Sequence, residues 1–219
     1  MNSSLLSLLV LAGVAIFLIL RLRSVLGSRE GFERPPARPD GSTANRRRDF
    51  EVIDGGPDED ITDHVEDGSD SAKALAAMKM AEPGFNVSEF LGGARQAYEM
   101  ILMSFERGDV DGLKPFLADD VMETFETVIN QRNEQGLTIE AEFVGVREIA
   151  LQNATFDRGA SEAEITVRFV GELTSVVRNS DGEIIEGDAS EIKRQRDVWT
   201  FARTMGADDP NWALVATDG

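Results

Sequence analysis

Few residues in this sequence are suited to chemistry. The 219 residues include one histidine, His64, and no cysteine. Asp63 and Glu66 lie close to His64 and could complete a metal-binding set, but a single histidine within an acidic tract is more often a solvated side chain than a ligand or a base. We therefore expect no metal site and no cofactor, and the absence of cysteine excludes disulfides and Cys-ligated metals.

The C-terminal part of the chain, residues 88–219, contains neither His nor Cys. This composition excludes hydrolytic triads of the Ser-His and Cys-His kinds within that part. The sequence also has no Gly-x-x-x-x-Gly-Lys nucleotide loop and no zinc-binding spacing. A pair of catalytic carboxylates remains an alternative in a domain with so many acidic residues, although no pair stands out from the others. We expect a protein that is not an enzyme.

The net charge of −18 is spread unevenly along the chain. Residues 21–50 carry eight Lys or Arg and four Asp or Glu, whereas residues 51–70 carry nine acids and no base. Residues 71–219 have a net charge of −13. A domain this acidic argues against nucleic acid as a partner, because phosphate binding needs clustered cations.

An uncharged apolar run near the N-terminus predicts a membrane anchor. Residues 5–20 contain no charged side chain, and with two preceding serines the run approaches the length that spans a bilayer. A cleaved signal peptide is the alternative, but a basic pair follows the run where a small-residue cleavage site would stand. We expect an uncleaved transmembrane signal anchor over residues 1–27. Its representative apolar positions are Leu5, Leu9, Val14, Phe17 and Leu20.

The basic flank of this run predicts its orientation. Arg21, Arg23 and Arg29 all lie on the C-terminal side of the span. The positive-inside tendency then places the N-terminus outside and the rest of the chain in the cytoplasm. The expected location is a bacterial cytoplasmic (inner) membrane, crossed once.

A disordered linker is predicted between the anchor and the domain. Residues 28–70 begin with prolines and arginines and end with the acidic tract. Residues 46–48 are three arginines that either contact anionic headgroups or stay solvated. Residues 71–84 then predict a short amphipathic helix, ended by a Pro-Gly pair, that packs on the domain, lies on the membrane or docks a partner.

The stretch from Ser88 to Gly108 gives the clearest helical pattern of the remaining chain. Its apolar residues recur at steps of three and four, and Ser88 is a candidate N-cap. Two further helices are predicted, one capped by Asp109 and one capped by Asp119 or Asp120. These helices need an apolar surface to pack on.

The period of the sequence changes after residue 137. Apolar and polar residues alternate over 138–143 and 163–169, which is typical of half-buried strands. Asp181-Gly182 and Gly187-Asp188 predict turns, and the last strands are expected at 198–201 and 212–216. Helices followed by consecutive antiparallel strands predict an α+β domain over residues 85–219, with the helices on one face of a curved sheet.

Five segments, in this order and spacing, resemble the Tim44-like domain family. They are FLGGARQAYEMILMSFERGDVDGLKPFL, DDVMETFETVINQRNEQG, EAEFVGV, DVWTFAR and DPNWALVAT, which lie between Phe90 and Asp218. The chain is most similar to bacterial members of the Tim44/TimA type, which begin with a membrane anchor and are regarded as adaptors. The resemblance implies an NTF2-like, cystatin-like fold with an apolar pocket between helices and sheet.

The same resemblance implies a scaffold that works at a membrane. The mitochondrial member recruits an Hsp70 motor to an import channel. Its chaperone-binding N-terminal region has no counterpart in this sequence, so membrane association is better supported here than chaperone binding. The implied partners are a membrane and unidentified proteins, with a chaperone or a lipid as further candidates.

Two groups of residues are candidate sites. Phe90, Gly92, Gly93 and Arg95, at the start of the long helix, are candidate contacts for a partner or lipid. The two glycines either allow the close approach of the strand layer or of another helix, or let the first turn of this helix bend away to meet a lipid or a partner. Arg95 and Arg132 are also candidates for structural ion pairs. The candidate pocket-lining residues are Tyr98, Phe105, Phe125, Phe143 and Trp199, each of which could equally belong to the core.

Three functions are therefore compared. The first is a non-catalytic, membrane-anchored adaptor that docks proteins, linked to protein transport or membrane-protein handling. The second is a lipid-binding module that uses the pocket or the helices of residues 71–105. The third, least favoured, is an NTF2-like enzyme with a buried Asp or Glu as its base.

Overall fold

The computed structural model describes residues 58–218. Over this range, helices come first and strands follow. The helices are α1 (Glu59–Thr62), α2 (Asp70–Ala81), α3 (Val87–Arg107), α4 (Val110–Leu113) and α5 (Asp119–Glu134), and the strands are β1 (Thr138–Asp157), β2 (Glu162–Arg178), β3 (Ile184–Thr204) and β4 (Ala213–Asp218). The predicted α+β architecture is confirmed. The predicted anchor, residues 1–27, lies outside the described residues, and within them no helix is long and apolar enough to cross a bilayer.

The sheet is a four-stranded antiparallel meander in the order β1-β2-β3-β4. Three register shifts in the β1–β2 pairing, the first between Phe143 and Gly145, mark β-bulges, which bend a strand and increase its twist. β4 is short and pairs only with the segment Val198–Ala202 of β3. The sheet therefore has four strands beside Val198–Ala202 and three strands or fewer elsewhere.

The predicted turn at Gly187-Asp188 is wrong. Gly187 lies inside β3 opposite Val176, with a φ of +86°. A Cβ atom at this position would come within 2.1 Å of the Ser175 carbonyl oxygen, so glycine serves a close strand approach rather than a chain reversal. The reversal between β2 and β3 occurs at the residues 179–182, as the Asp181-Gly182 pair predicts.

α3 is the helix around which the core is built. Asn86 Oδ1 accepts a hydrogen bond from the Glu89 N–H at 2.8 Å, and Gly108 ends the helix with a φ of +71°. The cap therefore lies two residues before the predicted Ser88. The buried residues of α3 that belong to the core are Val87, Phe90, Leu91, Ala94, Tyr98, Ile101 and Leu102, and Met103 is buried on the opposite side of the helix.

The segment before α2 is folded, so predicted disorder over residues 28–70 is wrong from residue 58 onward. Ile61 of α1 is buried in the core. Asp60 accepts hydrogen bonds from the N–H groups of Val87 and Ser88, at 2.8 and 3.0 Å. Lys79 lies 2.7 Å from carboxylate oxygens of both Asp58 and Asp60. These acids are neutralised by α2 and by the start of α3, which the composition of the segment alone does not show.

The other helices confirm most of their predicted bounds. α2 occupies Asp70–Ala81 and buries Leu75 and Met78 against the domain, whereas Met80 is 81% exposed. Asp109 caps α4 as predicted, with the Gly112 N–H donating to Oδ1 at 3.0 Å. α5 begins after Ala118, which gives no side-chain cap, so the predicted cap at Asp119 or Asp120 is wrong.

Candidate functional site

Three of the five predicted pocket-lining residues fill the space between α3 and the sheet. Tyr98 is fully buried and stacks on Phe169 with ring centroids 4.5 Å apart. The ring centroid of Tyr98 also lies 4.7 Å from that of Trp199 and 6.3 Å from that of Phe143. Contacts this close leave no room for a ligand at the level of Tyr98, so these rings belong to the core.

A buried hydrogen bond links this core to β3. Tyr98 Oη donates to Asp197 Oδ2 at 2.5 Å, and Gln195 Nε2 donates to Oδ1 at 3.1 Å. Burial, together with this bond to Asp197, raises the pKa of Tyr98. Gly171 lies opposite, and a Cβ there would come within 2.6 Å of Tyr98 Oη. The pair is enclosed by protein, so it satisfies a buried carboxylate rather than serving as an acid or base for a substrate.

The other two predicted pocket residues form a separate contact between α3 and α5. The rings of Phe105 and Phe125 have centroids 4.8 Å apart. The Arg132 guanidinium lies 4.4 Å from the centroid of Phe105, and its Nη2 donates to the Phe105 carbonyl at 2.5 Å. Nearby, burial raises the pKa of Glu106, against the opposing effect of Arg132 and Lys193. Arg132 therefore caps the C-terminal end of α3 as well as packing on it.

His64 lies beside Ser88, a pairing of histidine and serine that the sequence did not predict. His64 Nε2 lies 3.0 Å from Ser88 Oγ. In a hydrolytic triad, however, the carboxylate orients the histidine, whereas Asp60 here accepts a hydrogen bond from the Ser88 backbone N–H. This pair is a contact between the residues that follow α1 and the first turn of α3. Within residues 58–218, no three His, Asp or Glu side chains converge as metal ligands, and the set around His64 is included in that finding.

The predicted contact residues of α3 separate into two groups. Phe90 is 8% exposed and packs on Trp212, with ring centroids 4.7 Å apart, so its prediction as a surface contact is wrong. Gly92 and Gly93 are exposed, and a Cβ at either position would meet no atom of the described residues within 4 Å. Within residues 58–218, no strand and no other helix packs closely on these glycines, so the predicted packing explanation is wrong for that part of the chain. Arg95 is exposed and donates from Nη1 to the Val146 carbonyl at 3.3 Å.

The exposed glycines begin a stripe along one side of α3 that ends at the buried Met103. We define the outer face of α3 as Gly92, Gly93, Gln96, Met100 and Met103, which helical geometry places on one side. At its C-terminal end this face contains a hollow of about 280 Å³. The hollow is lined by Glu99, Met100, Met103, Ser104, Arg107, Gly112 and Phe116. Sequence reasoning found the glycines but missed the hollow, because its walls come from both α3 and the segment after it.

The hollow combines apolar walls with charged groups. Met100 is 44% exposed and Met103 is nearly buried, so sulfur and methyl groups form its base. Glu99 and Arg107, on the same helix, add charged groups to its lining. None of the residues that line the hollow is arranged for catalysis. The hollow can accept an apolar side chain of a partner, and its polar groups can form hydrogen bonds with polar groups beside that side chain.

Comparison with known proteins gives matches to a family model, to curated relatives and to solved structures. The model of the Tim44-like domain family matches residues 71–219. The mitochondrial import inner membrane translocase subunit TIM44-1 of Arabidopsis thaliana is 23% identical over 152 residues, which is 67% of this chain and 32% of that protein. The subunit TIM44 of Homo sapiens is 23% identical over 151 residues, or 67% of this chain and 33% of that protein. The chain thus spans about a third of the length of these relatives.

Solved structures show weaker likeness. The intermembrane space region of the chloroplast protein ARC6 has a TM-score of 0.40 at 8% identity, covering 58% of this chain and 94% of that one. An NTF2-like protein of unknown function in nutrient uptake from Rhodospirillum rubrum has a TM-score of 0.27 at 23% identity, covering 55% and 91%. The family model matches residues 71–219, which are more than half of the chain. This chain belongs to the Tim44-like domain family.

Proposed function

We propose that this protein is a non-catalytic adaptor that docks a helix of a partner protein on the outer face of α3. The observation that carries the proposal is the pair of exposed glycines in the second turn of a well-formed helix. Each glycine costs a helix interior about 1 kcal/mol relative to alanine. No contact within the described domain offsets that cost at Gly92 or Gly93. A requirement from outside the domain, such as the close approach of a partner, supplies the missing reason.

The shape of the outer face indicates the kind of partner. Small residues let the backbones of two helices approach closely, as they do at many helix–helix interfaces. The hollow farther along α3 lies two to three turns from the glycines, on the same side of the helix. A partner helix can therefore rest on Gly92 and Gly93 while one of its apolar side chains enters the hollow.

The membrane location is part of the same proposal. The relatives in Arabidopsis thaliana and Homo sapiens are named as subunits of an inner membrane translocase. The apolar run of residues 5–20, followed by Arg21 and Arg23, favours a single-pass anchor in a bacterial inner membrane with the domain in the cytoplasm. A function in protein transport or membrane-protein handling fits both features.

Several features of the structure bear on the choice between an adaptor and the two alternatives. The buried pair of Tyr98 and Asp197 is enclosed, and the His64–Ser88 pair lacks a carboxylate on the imidazole, which disfavours an enzyme. The rings of Tyr98, Phe143 and Trp199 fill the space that a lipid in the predicted pocket would occupy. Exposed Met80, at the end of α2, is the feature that favours membrane-surface contact by the helices of residues 71–105.

Crosslinking in cells tests the proposal directly. A photoreactive amino acid is placed at Gln96 or Met100 on the outer face, and matched controls carry it at the exposed positions Lys73 and Gln131. We expect the same protein adduct from both outer-face positions and its absence from both controls, as identified by mass spectrometry. Adducts that contain only lipid would support the second function, and equal protein adducts at all four positions would contradict a specific site.

A further inference from the structure

The open edge of β3 is a second surface that the α3 site does not involve. β3 pairs with β2 along most of its length, but β4 covers only Val198–Ala202 on its other side. Among residues 58–218, the segment Lys193–Asp197 therefore has a strand neighbour on one side only. Backbone N–H and C=O groups on the uncovered side are positioned to bind an added strand.

A bulge limits this edge to five residues. The β2–β3 register passes from Leu173 opposite Lys193 to Ser175 opposite Asp188, so residues 189–192 have no partner on β2. Ser190 donates from both its backbone N–H and its hydroxyl to Asp188 Oδ1, at 2.8 and 2.7 Å. These bonds hold the bulge out of the strand line, which stops an added strand from extending past it.

Arginines are concentrated on the face of the sheet beside this edge. Phe169 and Asp197 face Tyr98, so their neighbours Val170 and Arg196 face away from the helices. On that outer face, Arg194 Nε donates to Glu172 Oε1 at 2.9 Å, and Arg147 Nη1 lies 3.5 Å from the same oxygen.

The same cluster continues across β2. Arg168 Nη1 donates to Glu148 Oε2 at 3.0 Å. The cluster thus holds four arginines against two glutamates, within a domain whose net charge is strongly negative. Arg196 is exposed and forms no ion pair among residues 58–218. The sign of this surface is opposite to that of most of the molecule.

We infer that Lys193–Asp197 binds an extended acidic peptide segment of a partner protein by strand addition. Side chains at alternate positions of an added strand lie on the same face of the sheet as Arg194 and Arg196. Acidic residues at those positions would pair with both arginines while the backbone completes the ladder. The specificity therefore comes from charge, and the bulge fixes the register at one end of the segment.

A second copy of this chain is a poorer occupant of the same edge. In a two-fold antiparallel pair centred on Gln195, Arg194 of one copy would face Arg196 of the other, twice. Like charges placed directly opposite on neighbouring strands are destabilising. The arginines that attract an acidic segment thus also prevent self-pairing of the edge.

The test uses the full-length chain and labelled octapeptides. The first probe alternates Val and Glu, the second alternates Val and Lys, and the third is the Val-Glu peptide with alternate backbone nitrogens methylated. We expect fluorescence anisotropy to show binding of the first probe only, because the second has the wrong charge and the third cannot donate to the edge. Amide hydrogen exchange should slow at 193–197 on binding and stay unchanged at 199–202.

Charge-reversal variants identify the arginines. Arg194→Glu combined with Arg196→Glu should weaken binding by about tenfold or more, because two attractive cross-strand pairs become repulsive. The control, Lys73→Glu combined with Arg158→Glu, changes the net charge equally at exposed positions elsewhere and should change binding less than twofold. If the double variant does not fold, Arg196→Gln is used in its place. It breaks no ion pair in the described domain, and it should weaken binding in part.

Three results would overturn the inference. They are equal binding of the Val-Glu and Val-Lys probes, equal binding of the methylated probe, and no binding by a folded chain. Vesicles of phosphatidylglycerol that bind through the same arginines, without any peptide binding, would assign the patch to a membrane instead. Because the crosslinks at Gln96 and Met100 report on α3 alone, either docking surface can fail without the other.

Discussion

The two faces of α3 are built from different residues for different ends. The inner face carries Phe90, Tyr98 and Ile101, all buried against the sheet. The outer face carries two glycines, a glutamine and a methionine that is 44% exposed. Both faces belong to one helix of 21 residues with ordinary caps at each end. The difference between them is therefore not a difference in backbone geometry.

This contrast separates residues that stabilise the fold from residues available to a partner. Inner-face side chains fill space and satisfy a buried carboxylate, so changes there should alter stability first. Outer-face glycines make the isolated helix less stable than alanines would. If the outer face serves docking, changes there should alter binding while stability stays the same or increases. Four substitutions test this separation, beginning with the largest expected effect.

Tyr98→Ala should cause the largest loss. It removes a fully buried ring that stacks on Phe169 and contacts Trp199, and it leaves Asp197 without its tyrosine donor. We expect the free energy of unfolding to fall by about 3 to 5 kcal/mol, as measured by urea denaturation. A loss below about 1 kcal/mol would show that the inner face is not the stabilising face.

Tyr98→Phe isolates the hydrogen bond from the ring. The aromatic stack is kept, but Asp197 Oδ2 loses the donor that lies 2.5 Å away, while Gln195 still serves Oδ1. Leaving a buried acceptor unsatisfied costs about 1 to 3 kcal/mol, and urea denaturation should show a loss in that range. Crosslinking from Gln96 should be unchanged at temperatures where the variant is folded. A variant as stable as the wild type would mean that water or a protonated carboxyl replaces the tyrosine.

The inner face was predictable from sequence because its signal is local. Apolar residues at helical spacing identified α3, and alternation identified the strands that it packs on. The partner of Tyr98 was not predictable, because Asp197 lies 99 positions away along the chain. Its position in the strand also looks like that of an ordinary acidic residue on a solvent-exposed face. Trp199 packs in the core, and Asp197 lies on the same face of β3. Asp197 can be buried there because Tyr98 donates a hydrogen bond to it.

The outer face and the N-terminal segment were less predictable for a related reason. Composition predicted disorder around Asp58 and Asp60, since neighbouring acids repel one another. Their partners, Lys79 and the start of α3, lie about twenty to thirty positions farther along the chain. The hollow beside Met100 likewise needs Phe116 as a wall. Local patterns identify elements, whereas sites that combine distant segments require the fold.

Asp60→Asn tests a contact that lies between the two faces, at the N-terminus of α3. Asp60 is partly buried, which alone would raise its pKa, but Lys79 and the N–H groups of Val87 and Ser88 outweigh burial and lower the pKa from 3.8 to about 2. The substitution should lower the free energy of unfolding at neutral pH by about 1 to 2 kcal/mol, because a charged cap and an ion pair are lost.

The pH dependence of this contact has a definite sign. A carboxyl whose pKa is lower in the folded state stabilises the fold fully above its ordinary value of 3.8. That contribution is lost as the pH falls from about 4 toward 2. Urea denaturation should therefore show the wild type and Asp60→Asn converging in stability over this interval. A stability difference that is constant with pH would mean that the carboxylate charge is not the cause.

Gly92→Ala gives the smallest change in stability and the sharpest separation of the two faces. An added Cβ meets no atom of the described residues within 4 Å, so alanine should gain its helix propensity without a clash. We expect the free energy of unfolding to rise by about 0.5 to 1 kcal/mol. The protein adduct formed from Met100 should decrease, because the methyl group lies where a partner helix approaches.

The matched control is Gln131→Ala, at an exposed position of α5 away from this face. It should raise stability slightly, through helix propensity alone, and leave the Met100 adduct unchanged. A decrease in adduct with both variants would point to a general effect of stability on partner capture. A decrease with Gly92→Ala alone, in a protein that is more stable than the wild type, can only come from the outer surface of α3. That outcome would establish that Gly92 is retained for contact at the expense of stability.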